Sequence, residues 1–234
     1  PNLPGWQGLC LTDIFEREFG VPAYLDNDAT AAAMGESLFG AGRGVGDLAY
    51  FTVSTGIGGG IILDGRPYRG CDGNAGEFGH QIIVPDGPPC PCGKHGCLES
   101  LASGTSIARI ARERLSGGEI SSLGDIPIEE ITAERVSEVA RSGDDLACGV
   151  WYGAMEHLGL GVANVVNILN PRRVVIGGGV ARAGEMLFEP VRKIVGARAM
   201  APLARVCEIV PAECGDLVGR SEEHTSELQS RQSI

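Results

Sequence analysis

No stretch of this chain approaches the roughly 20 uninterrupted apolar residues needed to cross a bilayer. The opening residues PNLPGWQGLC carry neither the basic nor the apolar segment of a secretion signal. A broad basic surface is also missing, since 30 acidic residues stand against 19 basic ones for a formal net charge of -11. Nucleic acids and anionic membranes are bound through clustered Lys and Arg, so the balance disfavours both and points to a small-molecule partner. Apart from Lys94, no Lys, Arg or aromatic residue is interleaved with the clustered cysteines, which counts against a zinc module that binds nucleic acid. Neither glycine run fits the Walker or Rossmann pattern, and no internal repeat or low-complexity tract is present.

What is there suits a globular chain. With 234 residues, 43% of them hydrophobic, it can bury one substantial core or two modest ones. Of the eight cysteines, Cys90, Cys92 and Cys97 fall within eight residues and the other five are scattered singly. That pattern predicts a reduced, cytoplasmic setting and one metal cluster rather than a disulfide framework.

Along the chain, Leu11, Ile14, Phe15 and Phe19 recur at helical spacing before Gly20 and Pro22. Residues 21–25 read as a short strand delivering Asp26, Asn27 and Asp28, and the alanine-rich residues 29–38 as a helix. The glycine-rich 40–47 segment marks a domain boundary. Residues 48–54 read as a strand, 55–60 as a glycine turn, and 60–63 as a strand closed by Asp64-Gly65, with the two strands antiparallel. Helices are expected over 100–115, 133–141, 144–169 and around 185–195, and strands over 173–176 and 206–210. The mixture predicts an α/β fold.

Three features bear chemistry. His80, Cys90, Cys92 and Cys97 stand at H-x9-C-x-C-x4-C, among prolines and glycines that fold a tight loop. Zinc accepts such a Cys3His set as a closed, structural site with no open position for hydrolysis; clustered structural cysteines and iron–sulfur ligation are the other readings. Ser54 to Gly60, and the separate Gly177, Gly178 and Gly179, offer backbone amides to an anion or are simple tight turns. Asp28, after a strand and before a helix, is placed either for general base chemistry or as a helix cap.

The segment GIGGGIILDGRPYRGCDGNAGEFGHQIIVPDGPPCPCGKHGCLESLASG resembles the ROK family, which contains bacterial glucokinases, other hexose and N-acetylhexosamine kinases, and sugar-responsive transcriptional repressors. Similar features run from PNLPGW through LDNDATAAAMGE to VVNILNPRRVVIGGGVA and PAECGD, covering nearly all of residues 1–219. The resemblance implies the actin-like (ribonuclease H-like) two-domain sugar kinase fold. Residues 1–45 would be the C-terminal part of an incomplete small α/β domain, and 46–219 the large α/β domain. It implies Asp28 as the base that takes a proton from a sugar hydroxyl attacking the γ-phosphate of ATP. Asn27, Glu77, His80 and Glu99 would hold the sugar, His80 being a zinc ligand as well. Thr55, Gly56, Gly58 and Gly59 would form a phosphate loop, with Gly177, Gly178 and Gly179 on the adenosine side and Mg2+ bridging the phosphates. A homo-oligomer, dimer or tetramer, is also implied.

PNLPGW and the Asp-Gly-Pro-Pro run before Cys90 resemble the glucokinase branch most, with N-acetylmannosamine and N-acetylglucosamine kinases next. The alternative of another class is a repressor, whose helix-turn-helix would precede residue 1. Thr30 stands where many members carry Asn, and the D-x-G-G-T phosphate loop is absent from the sequence. The expected N-terminus is therefore a lost one. Arg220 to Ser230, RSEEHTSELQS, matches the in-frame translation of a common sequencing adapter, so 220–234 is expected to be an artefactual tail outside the fold.

Overall fold

A computed structural model describes residues 9–215. The PNLPGW motif and the adapter-like 220–234 segment lie outside the described residues.

Period-2 alternation organises the centre of the fold. Strands β1 (Leu48–Val53), β2 (Ile57–Leu63), β3 (Arg66–Pro67), β4 (Arg173–Gly177) and β5 (Glu208–Pro211) form one sheet in the order β3-β2-β1-β4-β5. β1 pairs antiparallel with β2 and parallel with β4, and β4 pairs parallel with β5. Along β1, Ala49, Phe51 and Val53 join the main core, while Leu48 and Tyr50 join a smaller cluster on the other face. Such alternation is what a sheet covered on both faces requires.

The smaller cluster is made by helix α2 (Asp28–Phe39), whose Ala32 and Ala33 pack with Leu48, Ile62 and Val175. The residues on either side of the glycine-rich 40–47 turn therefore share a core. The main core is built around α6 (Asp145–Leu169), apolar on most of its faces and accordingly buried along most of its length. Asp144 caps its start by accepting from the Ala147 amide, and Asn170 ends it in the left-handed conformation. Around it lie α3 (Leu98–Ala102), α4 (Gly104–Ser116), α5 (Ala133–Arg141) and α7 (Glu185–Arg198).

Some expectations need correction. Residues 21–25 form no strand; no neighbouring strand among the described residues pairs with them, and Val21, Tyr24 and Leu25 are exposed. They follow α1 (Leu11–Phe19), which buries no side chain among the described residues. The helix expected over 100–115 breaks at Ser103, whose extended backbone lets its hydroxyl cap α4 through the Ser106 amide. Residues 201–206 form helix α8 (Ala201–Val206), so the last strand begins at Glu208.

The glycine turn expected over 55–60 is shorter, because β2 begins at Ile57 and takes Gly58, Gly59 and Gly60 into the strand. Crowding is the reason. A Cβ at Gly60 would lie 2.6 Å from the Ala29 carbonyl oxygen and 2.6 Å from Ala33 Cβ, and one at Gly59 would lie 2.6 Å from the Gly76 carbonyl oxygen. Asp64 (φ 50°) and Gly65 (φ 72°) then make the tight hairpin turn to β3.

Glu36 closes the helix-covered face. Almost fully buried, its carboxylate accepts from the Ala41 amide at 2.8 Å, Glu213 at 3.1 Å and Cys214 at 2.8 Å, tying α2 to both the following turn and the end of the described chain.

Gly60→Ala is expected to lower unfolding free energy by about 1–3 kcal/mol by pushing α2 off the sheet. Gly153→Ala, in α6 with open space around the added methyl, is expected to raise it by about 0.5–1 kcal/mol. Urea titration of both variants checks the contrast.

Candidate active site and metal centre

β2 positions the site from both of its faces. On one, Ala29 at the start of α2 rests against Gly58 and Gly60. Asn27 is the helix cap, its Oδ1 accepting from the Ala29 amide at 3.0 Å and the Thr30 amide at 3.1 Å. Asp28 is the first helical residue and is exposed, with Oδ1 2.7 Å from the Ala29 amide nitrogen. The capping role open to Asp28 is thus filled largely by its neighbour, and the carboxylate sits at the positive end of the helix dipole. Thr30 is buried beneath it. Asp26 accepts from Arg69 Nε at 3.1 Å and Nη2 at 2.6 Å, an ion pair that holds its carboxyl below the usual range.

On the opposite face, a single 3-10 turn (Phe78–His80) carries Glu77 and His80. Phe78 packs on Phe51 with ring centroids 4.6 Å apart, and Gly79 crosses the Ile57 carbonyl so closely that no side chain would fit. Glu77 Oε2 lies 3.8 Å from His80 Nε2. The other ring nitrogen, Nδ1, lies 3.7 Å from Cys90 Sγ, and Cys92 Sγ is 3.7 Å from Cys97 Sγ.

One ligand atom from each of His80, Cys90, Cys92 and Cys97 lies within 4.8 Å of all the others. Two sulfurs bonded at about 2.3 Å to a tetrahedral ion would be ~3.8 Å apart, so the sulfur spacing fits a metal centre. The loop holds this shape through Cys90 N–H to Lys94 O (2.8 Å), Gly93 N–H to Cys90 O (2.9 Å) and Gly96 N–H to Pro88 O (2.8 Å), with Gly93 at φ 86° and Gly96 at φ 68°. Burial pushes the Cys97 thiol up to about 12 and raises Cys90, whereas the Lys94 amide lowers Cys92. A bound cation would displace those protons and supply the charge that balances three thiolates, two of them buried.

Glu99, one residue into α3, reaches back to β2: its Oε2 accepts from the Ile57 amide at 2.9 Å. Gly56 makes room, since a Cβ there would lie 2.5 Å from that oxygen. Glu99 therefore has one carboxylate oxygen tied to the first residue of β2 and one without a hydrogen bond among the described residues.

A cavity of about 670 Å³ opens beyond the β1–β2 turn, bordered by Ser54 and Thr55. Gly104, Thr105, Ala108 and Arg112 line it as one stripe of α4, about 12 Å long at 1.5 Å per residue. Trp151, Ser137, Arg141, Gly179 and Val180 form other walls. One end thus meets the N-terminus of α4, where dipole and amides favour negative charge. Elsewhere arginines combine with an indole and aliphatic groups. Arg112 Nη2 donates to the carbonyls of Glu129 and Ile131, leaving Nε buried without a partner among the described residues. These surfaces suit a ligand with an anionic part and a flat, largely apolar part.

Of the glycine-run residues named from sequence, Thr55 and Gly179 line the cavity, while Gly56, Gly58, Gly59, Gly177 and Gly178 do not. Gly58 and Gly59 lie within β2, and a Cβ on Gly177 would meet Tyr50 Oη at 2.7 Å. Asn27, Asp28, Glu77, His80 and Glu99 also lie outside the cavity lining. Thr105, Arg112, Arg141 and Trp151 were not singled out from sequence. The i, i+4, i+8 spacing of Gly104, Ala108 and Arg112 is the signal that was available, and the other walls lack one.

The sequence model described as the ROK family matches residues 1–220, and the chain belongs to that family. A glucokinase of Thermotoga maritima is 41% identical over 198 residues, covering 83% of this chain and 62% of that protein. A xylose repressor of Caldicellulosiruptor bescii is 38% identical over 199 residues, covering 85% of this chain and 50% of that protein. Among solved structures, a ROK family glucokinase from Streptomyces griseus in complex with glucose and AMPPNP superposes with a TM-score of 0.79 at 36% identity, over 89% of this chain and 69% of that one. The fold is accordingly the mixed α/β, actin-like fold of ROK sugar kinases.

Asn27→Ala is expected to destabilise the protein by about 0.5–2 kcal/mol through loss of the α2 cap. Denaturant unfolding measures it, and an unchanged midpoint would contradict the assignment of the cap to Asn27.

Proposed function

We propose that the protein acts as an ATP-dependent hexose kinase, glucose being the first candidate substrate. The observation that carries this reading is the Asp28 carboxylate. Asn27 supplies the helix cap, so Asp28 is left at an exposed helix N-terminus against β2, whose other face receives the turn carrying Glu77 and His80 and whose first amide bonds Glu99. The cavity bordered by Thr55 supports nucleotide binding.

In this reading Asn27, Glu77, His80 and the unbonded oxygen of Glu99 orient the sugar hydroxyls. Asp28 accepts the proton of the 6-hydroxyl as its oxygen attacks the γ-phosphorus. The bond to the β–γ bridging oxygen breaks, ADP leaves with that electron pair, and the proton passes from Asp28 to solvent. Mg2+ bound to the phosphates would neutralise their charge. Thr55, Gly56, Gly58, Gly59 and Gly177, Gly178, Gly179 shape the nucleotide side, some through direct contact and others by permitting close packing.

The metal proposed for His80, Cys90, Cys92 and Cys97 is zinc, in a closed structural site that would fix the substrate-facing edge of His80 and the approach to Glu99. A cytoplasmic location accords with the unpaired cysteines, and among the described residues no helix is long and apolar enough to cross a membrane.

The similarity to a xylose repressor favours a second reading, a sugar-responsive regulator that binds the sugar without turnover. Coupled assays on the 234-residue chain, and on any longer reading frame that carries it, with ATP and a panel of glucose, mannose, fructose and N-acetylhexosamines separate the two. Sugar binding with no phosphorylation of any of them would favour the regulator.

Asp28→Asn is expected to reduce turnover by at least about 100-fold while sugar binding by calorimetry persists; unchanged turnover would remove Asp28 from the mechanism. Cys92→Ser is expected to lower metal content well below one zinc per chain by atomic emission and to weaken sugar affinity. Metal-free protein with full affinity would sink the zinc assignment.

A further inference from the structure

We propose that Ser106 is a positioning residue coupling the sugar side of the site to the nucleotide cavity, so that occupancy of either strengthens binding at the other. The inference rests on the hexose kinase reading above.

Glu99 is bonded in two directions. Its side chain accepts from the Ile57 amide at 2.9 Å, and its main-chain carbonyl accepts from Ser106 Oγ at 2.7 Å and from the Ser103 amide at 3.2 Å. Ser103 Oγ donates to Ser106 Oγ at 3.0 Å and accepts from the Ser106 amide at 3.1 Å. Each hydroxyl in this chain donates once and accepts once, Ser103 donating to Ser106 and Ser106 to the Glu99 carbonyl, giving a single consistent set of proton positions. Ser103 is 1% exposed and Ser106 6%, so water does not readily replace a lost member.

Both directions end at the cavity. Ile57 follows the turn that contains Ser54 and Thr55, and Ser54 N–H donates to the Gly56 carbonyl at 2.9 Å. The first residue of α4, Gly104, donates to the Ser54 carbonyl at 2.7 Å. Ser54, Thr55, Gly104 and Thr105 all line the cavity, whereas Ser106 does not. A sugar hydroxyl donating to the second oxygen of Glu99 would restrict that side chain, and with it the turn and the start of α4. Restriction already supplied by one ligand need not be supplied by the next, which is a coupling free energy and is reciprocal.

The test measures the dissociation constant of AMPPNP with and without saturating glucose, and of glucose with and without AMPPNP, by calorimetry on the wild-type protein and two variants. The wild type is expected to show a coupling factor of about five or more in both directions. Ser106→Ala should bring that factor to within about twofold of one while each ligand bound alone keeps its affinity within about threefold. Gly56→Ala, whose new Cβ would stand 2.5 Å from Glu99 Oε2, should abolish the factor from the other side of the chain. A wild-type factor retained in Ser106→Ala, or affinities that weaken together with the factor unchanged, would overturn the proposal by making Ser106 a packing residue only. Binding of both ligands to the wild type with a factor of one would overturn the coupling and leave the kinase reading standing. Failure of the wild type to bind either ligand would overturn that reading itself.

Discussion

The approach of α2 to β2 at backbone distance is the constraint on which the rest depends. With no side chains at Gly58 and Gly60, the first turn of the helix rests on the strand itself. Interiors are packed to crystal density, so a methyl group at Gly60 would displace the helix rather than be absorbed. The same strand receives the 3-10 turn on its other face, again through glycine, at Gly59 and Gly79. Two sets of polar side chains that are distant in sequence are thus referenced to one rigid element.

Rigidity on the far side has a different origin. The loop from Cys90 to Cys97 offers mainly cysteine to a core and is otherwise proline, glycine and exposed polar residues. Its local hydrogen bonds define a path, yet they leave a cluster of thiols and an imidazole whose mutual spacing makes best sense around a cation. Hydrophobic burial therefore orients α2, while coordination chemistry would orient His80 and the lead-in to α3. Polar bonding at Glu99 joins the two regimes.

Much of the frame was legible because its signals are local. Helices α1 and α5 follow from spacing and stop residues, β1 and β4 from short apolar runs, and the cysteine cluster from its separation along the chain. Residues 21–25 show why a strand is harder: an apolar run describes one segment, but a strand exists only beside another. The break at Ser103 was hidden because a serine–glycine pair is compatible with a helix until Gly104 has to meet the Ser54 carbonyl. Gly58 to Gly60 read as a turn because crowding by Ala29, Ala33 and Phe78 is tertiary. The cavity draws on Ser54, Arg112, Ser137, Trp151 and Gly179 from five separate stretches, so no window of sequence contains it.

Glu36 has a consequence for the order of events during synthesis. Its carboxylate is finished only by the amides of Glu213 and Cys214, the latter 178 residues further along. At about 5–20 residues per second, the ribosome needs on the order of ten to forty seconds to supply them after α2 has emerged. Until then the Ala41 amide is the one of its three amide partners already made, and water must solvate the rest of the carboxylate. The helix that presents Asp28 is therefore sealed against the sheet only once the chain has passed Cys214.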